Sequence, residues 1–261
     1  MANIVEYEVR GKVAIITLNR PEARNAVNGD VASSLEAAID KLEADSNAWI
    51  GVLAANTAGQ ERPVFCAGAD LKAINSGQAA GLNTKRGGFG GFVYRDRKKP
   101  VIAAVDGLAT AGGCELVLAC DMLVASTRSA FGLAEATRNL IAGAGGLFRL
   151  PRAIGRAAAM EAILTGEPFS AQRAYELGMV NKLVEPNASL DAAIDLALRV
   201  CKAAPLAVWA SRKIVLASET ESDQNLIDMT NKEFAAVLAS EDTKEGLTAF
   251  IEKRPPNWQG K

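Results

Sequence analysis

Short, unbroken apolar runs alternate with amphipathic stretches through the first half of this chain, and then the apolar runs largely stop. That change restricts the fold more than any other feature. Trp49–Ala54, Val101–Val105 and Met122–Ala125 are apolar at nearly every position and are bounded by polar residues. Such runs suit strands buried on both faces, which implies largely parallel pairing under helical layers. Ile4–Val9 and Val13–Leu18 flank Gly11-Lys12 and predict a hairpin. Asn28 or Asp30 is placed to cap a helix with apolar positions at Val31, Leu35, Ala38, Ile39 and Leu42. Gly112–Ala119 reads as a helix opened by glycines. From about residue 155 the pattern is helical: Ala157–Leu164, Ala171–Leu177, Leu190–Ala203, Leu206–Ala217, Asn225–Ala239 and Thr243–Glu252. Met179–Val184 is the one strand expected there. The sequence therefore predicts an α/β core over residues 1–195 and a helical region over residues 196–261.

Composition narrows the function. Apolar residues make up 49% of 261 positions, enough for a sizeable core. The net charge of −1 gives no general attraction to nucleic acid or to an anionic membrane. The basic cluster Arg95-Asp-Arg-Lys-Lys99 is short and reads as a solvated face or as a phosphate contact. Histidine is absent, which removes Ser-His-Asp and Cys-His machinery and the commonest metal ligand. Cys66, Cys114, Cys120 and Cys201 form no Cys-x-x-Cys pair, so no zinc or thioredoxin-like motif is present and the thiols read as core packing. No secretory pattern is visible at the N-terminus, and no window approaches about 18 uninterrupted apolar residues. A cytoplasmic protein with reduced thiols is the expectation.

Two carboxylates stand out against this background. Glu115 lies in Gly107-Leu-Ala-Thr-Ala-Gly-Gly-Cys-Glu-Leu, and Glu135 follows Phe131-Gly-Leu-Ala ahead of Ala142-Gly-Ala-Gly-Gly146. Small residues let backbone approach a ligand, and carboxylates in apolar settings need a partner or a task. One reading is an ion pair to Arg138 or Arg149. The other is a pair of acids sharing a water molecule. Two nearby carboxylates resist joint ionisation, so one acts as base while the other delivers a proton. Ala67-Gly68-Ala69 turns tightly before a helical start at Asp70-Leu71-Lys72, and Gly112-Gly113 opens a helix whose first N–H groups lack internal partners. Donors from two such segments, converging on one carbonyl oxygen, make an oxyanion hole; alternatively the small residues serve close helix packing. Gly77–Gly91 is the one low-complexity stretch and is expected to be mobile, as a surface loop or as a lid or acyl-pocket wall.

Five motifs in order carry a resemblance: Asn19-Arg-Pro-Glu-Ala-Arg-Asn-Ala, Phe65-Cys-Ala-Gly-Ala-Asp-Leu, Lys99-Pro-Val-Ile-Ala-Ala-Val-Asp-Gly, Ala111-Gly-Gly-Cys-Glu-Leu and Ala142-Gly-Ala-Gly-Gly. Together with Leu164-Thr-Gly-Glu, Ala174-Tyr-Glu-Leu-Gly-Met-Val-Asn and Phe250-Ile-Glu-Lys-Arg-Pro-Pro, the chain resembles the crotonase, or enoyl-CoA hydratase/isomerase, superfamily. The resemblance implies a spiral of β-β-α turns, then helices that trimerise, with a homotrimer or a homohexamer built as a dimer of trimers. It implies an acyl-CoA thioester as substrate and no further cofactor. It places the thioester oxygen on the N–H groups of Ala67 and Gly112. Glu115 then deprotonates water for addition at C3, and Glu135 gives a proton to C2. Ala67, Gly68, Ala69 and Asp70 line the thioester and the nearby CoA arm, and Arg24 contacts the CoA nucleotide, as do Phe250 and Lys253 of a neighbouring subunit.

The chain departs from the family pattern at four places. Ala134 stands where proline is frequent, Asn139 where glycine is, Leu147-Phe148 where Thr-Gln is, and Ala111 replaces the first of three glycines. None removes a catalytic group. The reading is a trans-2-enoyl-CoA hydratase in fatty-acid or related acyl-CoA metabolism. Its rivals are Δ3-Δ2 isomerisation, carnitinyl-CoA dehydration and non-catalytic acyl-CoA binding.

Overall fold

The computed structural model describes residues 3–261, so the first two residues of the N-terminal stretch read above lie outside it. The chain opens with β1 (Val5–Arg10) and β2 (Val13–Leu18), paired antiparallel across Gly11 with φ +61°. Then follow α1 (Gly29–Ala44), β3 (Ile50–Ala55), β4 (Val64–Cys66), α2 (Leu71–Asn75), and the small hairpin of β5 (Asn83–Thr84) and β6 (Gly88–Phe89). Next come β7 (Val101–Val105), β8 (Leu108–Thr110), α3 (Gly112–Leu118), β9 (Met122–Ser126) and β10 (Ala130–Gly132). The remainder is α4 (Gly146–Ile154), α5 (Arg156–Thr165), β11 (Phe169–Ser170), α6 (Ala171–Glu176), β12 (Lys182–Val184), α7 (Ser189–Val200), α8 (Pro205–Ala217), α9 (Asp223–Leu238) and α10 (Glu241–Glu252).

The strands divide between two main sheets. One has the order β1-β2-β3-β7-β9-β12 and is parallel from β2 onward; the other has the order β11-β10-β8-β4, with β10, β8 and β4 parallel. The pairs β3/β4, β7/β8 and β9/β10 each give one strand to each sheet. That repeat is the spiral of β-β-α turns expected from the family resemblance. Its consequence is positional: β4, β8 and β10 lie side by side and parallel, so the residues just after Cys66, Thr110 and Gly132 emerge at one edge. Carboxyl ends of adjacent parallel strands are a recurring place for ligand sites.

Packing follows from the apolar runs. Every residue of β7 is buried, as are five of the six in β3. One face of the larger sheet packs Val13, Ile15, Ile50, Val52, Ile102 and Val124 under Ala192, Ala193 and Ala197 of α7. The other face joins Leu35, Ile39 and Leu42 of α1 with Leu53, Phe65, Leu116 and Phe131. Fully burying such side chains contributes about 1.5–3 kcal/mol each. Asn28 caps α1, accepting the Val31 N–H at 2.9 Å.

The boundary expected at 195/196 falls inside α7, which contacts β3, β7 and β9 as one piece. We therefore take the helical region to begin at α8. It is tied back by Arg212, which donates to Asp121 at 2.8 Å, and by Trp209, which donates to the Trp49 carbonyl at 3.1 Å. Gly77–Gly91 is not an open loop: it forms a 3-10 turn and the β5–β6 hairpin and inserts Phe89 into the core. Among the described residues, no helix is long and apolar enough to cross a membrane.

Candidate active site

A cavity of about 1010 Å³ opens at the edge where β4, β8 and β10 end, and it is lined by Arg24, Ala67, Ala69, Asp70, Gly112, Glu115 and Glu135. Seven of the residues singled out from the sequence thus share one space. Gly68 lies between two of them. Phe250 and Lys253 do not line this cavity; Phe250 projects from α10 at 85% exposure.

The donor segments touch. A β-carbon on Gly68, at φ +85°, would stand 2.9 Å from the Gly112 nitrogen and 3.1 Å from the Thr110 oxygen. One on Gly113 would stand 2.1 Å from the Cys66 oxygen, and one on Gly112 would meet the Phe89 ring at 2.5 Å. Glycine at 68 and 113 lets the start of α3 lie against the end of β4, and glycine at 112 leaves room for the Phe89 ring of β6. Ala111 precedes them with φ 52° and ψ −130°, a strained conformation for a residue with a side chain.

One expectation needs correction. The Ala67 N–H donates to the Arg24 carbonyl at 3.1 Å, so it is spent within the chain. Ala69 is the residue so placed that its amide is free. It bridges Val27 in parallel fashion, with the Val27 N–H on the Gly68 carbonyl at 2.8 Å and the Asp70 N–H on the Val27 carbonyl at 2.9 Å. In that pattern the N–H of Ala69 faces away from Val27, and it has no acceptor among the described residues. Gly68 turns the chain between the two alanines, which no reading of small residues in a row distinguishes. Asp70 accepts the Lys72 N–H at 2.9 Å to cap α2 and pairs with Arg20 at 2.6 Å, so its carboxylate shapes the wall.

Glu115 is 3% exposed. Its Oε1 accepts the Ala144 N–H at 2.7 Å and the Gly146 N–H at 2.9 Å. Gly146 opens α4, so the carboxylate sits at a helix N-terminus, where negative charge is favoured. Burial nevertheless dominates and pushes Glu115 up to about 7; the Gly146 N–H pulls it back, and the charge of Glu135 pushes it further up. Glu135 follows β10, its Oε2 is buried with no partner among the described residues, and burial raises its pKa too.

Neither glutamate is in an ion pair among the described residues. Arg138 donates to the Ala134 carbonyl at 3.1 Å, and Arg149 donates to the carbonyls of Ala144 and Val93. Asn139 takes the left-handed conformation at φ 56°, as a glycine would, so its replacement is tolerated. Burial pushes the Cys66 thiol up to about 12, in keeping with packing.

Two backbone amides and two acids whose pKa values burial raises share a cleft at the carboxyl ends of parallel strands, an arrangement suited to acid–base chemistry. The chain belongs to the enoyl-CoA hydratase/isomerase family of the crotonase superfamily, whose model matches residues 8–261. It is 36% identical to the short-chain-enoyl-CoA hydratase of Clostridium acetobutylicum, over 97% of this chain and 96% of that one. It is also 36% identical to the carnitinyl-CoA dehydratase of Proteus mirabilis over the full length of both. The crystal structure of an enoyl-CoA hydratase from Mycobacterium tuberculosis superposes with a TM-score of 0.93 at 45% identity, covering both chains completely.

Proposed function

We propose that this protein is an enoyl-CoA hydratase that adds water to a trans-2-enoyl-CoA and forms the 3-hydroxyacyl-CoA. The observation that carries this reading is the carboxylate of Glu115, held by two amides and raised to about 7, in one cavity with the unpartnered acid of Glu135. A base poised near neutrality is what water activation needs. Glu115 takes a proton from water as its oxygen bonds to C3. The C2–C3 π electrons move toward the thioester carbonyl, where the N–H groups of Ala69 and Gly112 stabilise the enolate oxygen. Glu135, whose protonated form burial favours, then delivers its proton to C2. Hydrogen and hydroxyl have been added, and exchange with solvent resets the two acids. No cofactor enters the sequence.

Arg24 lines the same cavity and suits the anionic end of CoA. The same reading takes the C-terminal helices as the contact surface of a homotrimer or a dimer of trimers. In support, α10 exposes Leu247 by 62%, Phe250 by 85% and Ile251 by 78%. Phe250 and Lys253 then reach a neighbouring subunit's CoA nucleotide. We place the enzyme in the cytoplasm, in acyl-CoA catabolism.

The test is turnover of crotonyl-CoA, followed by loss of the conjugated enoyl thioester's absorbance. Glu135→Gln is expected to lower kcat by several orders of magnitude, on the scale of removing an essential acid. A variant with undiminished turnover would refute the assignment. The identity shared with carnitinyl-CoA dehydratases keeps that reaction as the rival, and preferential dehydration of carnitinyl-CoA by the native enzyme would favour it. Binding of every enoyl-CoA with no turnover would leave a non-catalytic role.

A further inference from the structure

The turn Gly143–Gly146 has two sides. Toward the cavity, Ala144 and Gly146 give their N–H groups to Glu115. The Tyr94 hydroxyl, on a ring that lines this cavity as well as the one beyond it, donates to the Gly143 carbonyl at 2.8 Å. Arg149 donates through Nη1 to the Ala144 carbonyl at 3.2 Å and through Nη2 to the Val93 carbonyl. Its guanidinium also lies 5.6 Å from the centre of the Tyr94 ring. Gly145 makes the approach possible. At φ +106° it has no side chain, and a β-carbon there would stand 2.1 Å from Arg149 Nη1. The guanidinium therefore packs against a turn whose φ favours glycine.

We propose that Arg149 and Tyr94 are positioning residues for Glu115: they hold the turn so that its two amides meet the carboxylate. The inference rests on the hydration reading, in which Glu115 is the base. Arg149 does not line the active-site cavity; Tyr94 does, and it also lines the second cavity described next. A second cavity of about 900 Å³, which neither glutamate lines, borders Arg149 on the side of α8. The clamp adds to the hold that the Phe148 and Arg149 backbone N–H groups have on the Gly145 carbonyl. The ionisable groups facing Glu115 are Glu135 after β10, Cys114 beside it on α3, and Arg149 behind Ala144. Of these Arg149 alone is a cation, and its charge lowers the pKa of Glu115 while that of Glu135 raises it. Removing Arg149 takes away that charge and loosens two N–H bonds to the ionised form. Both losses raise Glu115 further and shrink the fraction ready to act as base.

The experiment uses the full chain with Arg149→Met, Arg149→Lys and Tyr94→Phe. Two quantities are followed against pH: kcat and KM for crotonyl-CoA, and the Glu115 carboxyl carbon by 13C NMR. In Arg149→Met the acidic limb of kcat is expected to move up by about 1 pH unit, so kcat at pH 7 falls roughly five- to sixfold. KM stays within about twofold, and the deficit narrows as pH rises. Tyr94→Phe shifts in the same direction by less, and Arg149→Lys recovers part of the loss. The NMR midpoint of Glu115 follows the same order. Folded Arg149→Met and Tyr94→Phe with the native limb and the native midpoint would overturn the proposal. Should Arg149→Met not fold, Tyr94→Phe decides alone, because it removes a single hydroxyl; an unshifted limb and midpoint there overturn the proposal. Absence of turnover in the native enzyme would defeat the hydration reading instead, and the carboxyl titration would still judge the clamp.

Discussion

Gly68 and Gly112 are packed so closely that a β-carbon on the first would stand 2.9 Å from the amide nitrogen of the second. The contact brings the end of β4 against the start of α3, and with it the amides of Ala69 and Gly112 into one cavity. Gly68→Ala is therefore expected to push the two segments apart and to strain a φ of +85°. Loss of one oxyanion donor costs about 100- to 1000-fold in rate, and kcat/KM for crotonyl-CoA should fall by at least that much. Circular dichroism alongside the kinetics separates a displaced donor from an unfolded chain.

Glu115 gives a stability prediction whose sign is opposite to that of a surface carboxylate. Its folded pKa is about 7, above the ordinary 4.5, so the folded state binds its proton more tightly than the unfolded state. The stability it contributes is full below about 4.5 and is lost as pH rises through about 7. Glu115→Gln keeps an oxygen for the Ala144 and Gly146 amides but carries no charge. It should melt several degrees above the native protein at pH 8, and the gap should close toward pH 4.5. Activity should fall by orders of magnitude in the same variant. Thermal melts at the two pH values check the trade.

Ala111 occupies φ 52° and ψ −130°, where a side chain is strained by about 1–3 kcal/mol. Glycine relieves the strain but loses about 0.4–1 kcal/mol through greater freedom of the unfolded chain. Ala111→Gly should be more stable by about 1 kcal/mol, a rise in Tm of roughly 2–4 °C. A lower Tm would show that the alanine is not strained there.

Asp121 anchors α8 to the core. Its Oδ1 accepts from Arg212 at 2.8 Å, and its Oδ2 accepts from Arg97 at 3.0 Å and from the Val101 N–H at 2.7 Å. All three charged side chains are at least 88% buried, with 12%, 12% and 5% of their side-chain surfaces exposed for Asp121, Arg212 and Arg97. Removing one partner of a buried pair costs about 3–5 kcal/mol. Asp121→Ala should lower Tm by about 10 °C or more and free α8 from the sheet, which hydrogen exchange at its amides would register.

Much of this was legible in the sequence, for reasons that can be named. β3, β7 and β9 are long enough for their apolar runs to be read, and Glu115 and Glu135 are conspicuous because charge in a small, apolar stretch needs an explanation. β4, β8 and β10 are three residues each, too short for any periodicity, and they are the strands that assemble the site. The choice between Ala67 and Ala69 depended on which amide Arg24 would occupy, a contact between distant residues. Arg149 was visible only as a possible ion-pair partner and Tyr94 not at all, because both act through a turn whose fold is not encoded in their own neighbourhoods.

The pairing of strands between the two sheets has a further consequence. Each coil of the spiral delivers its own piece: one amide after β4, a second amide and one acid after β8, the other acid after β10. The first two tips are locked together, since a β-carbon on Gly68 or Gly113 would strike the other segment, whereas the acid after β10 stands on a side chain of its own. The side chain at 135 is therefore the one this scaffold can exchange while the close contact between the other two tips stays as it is.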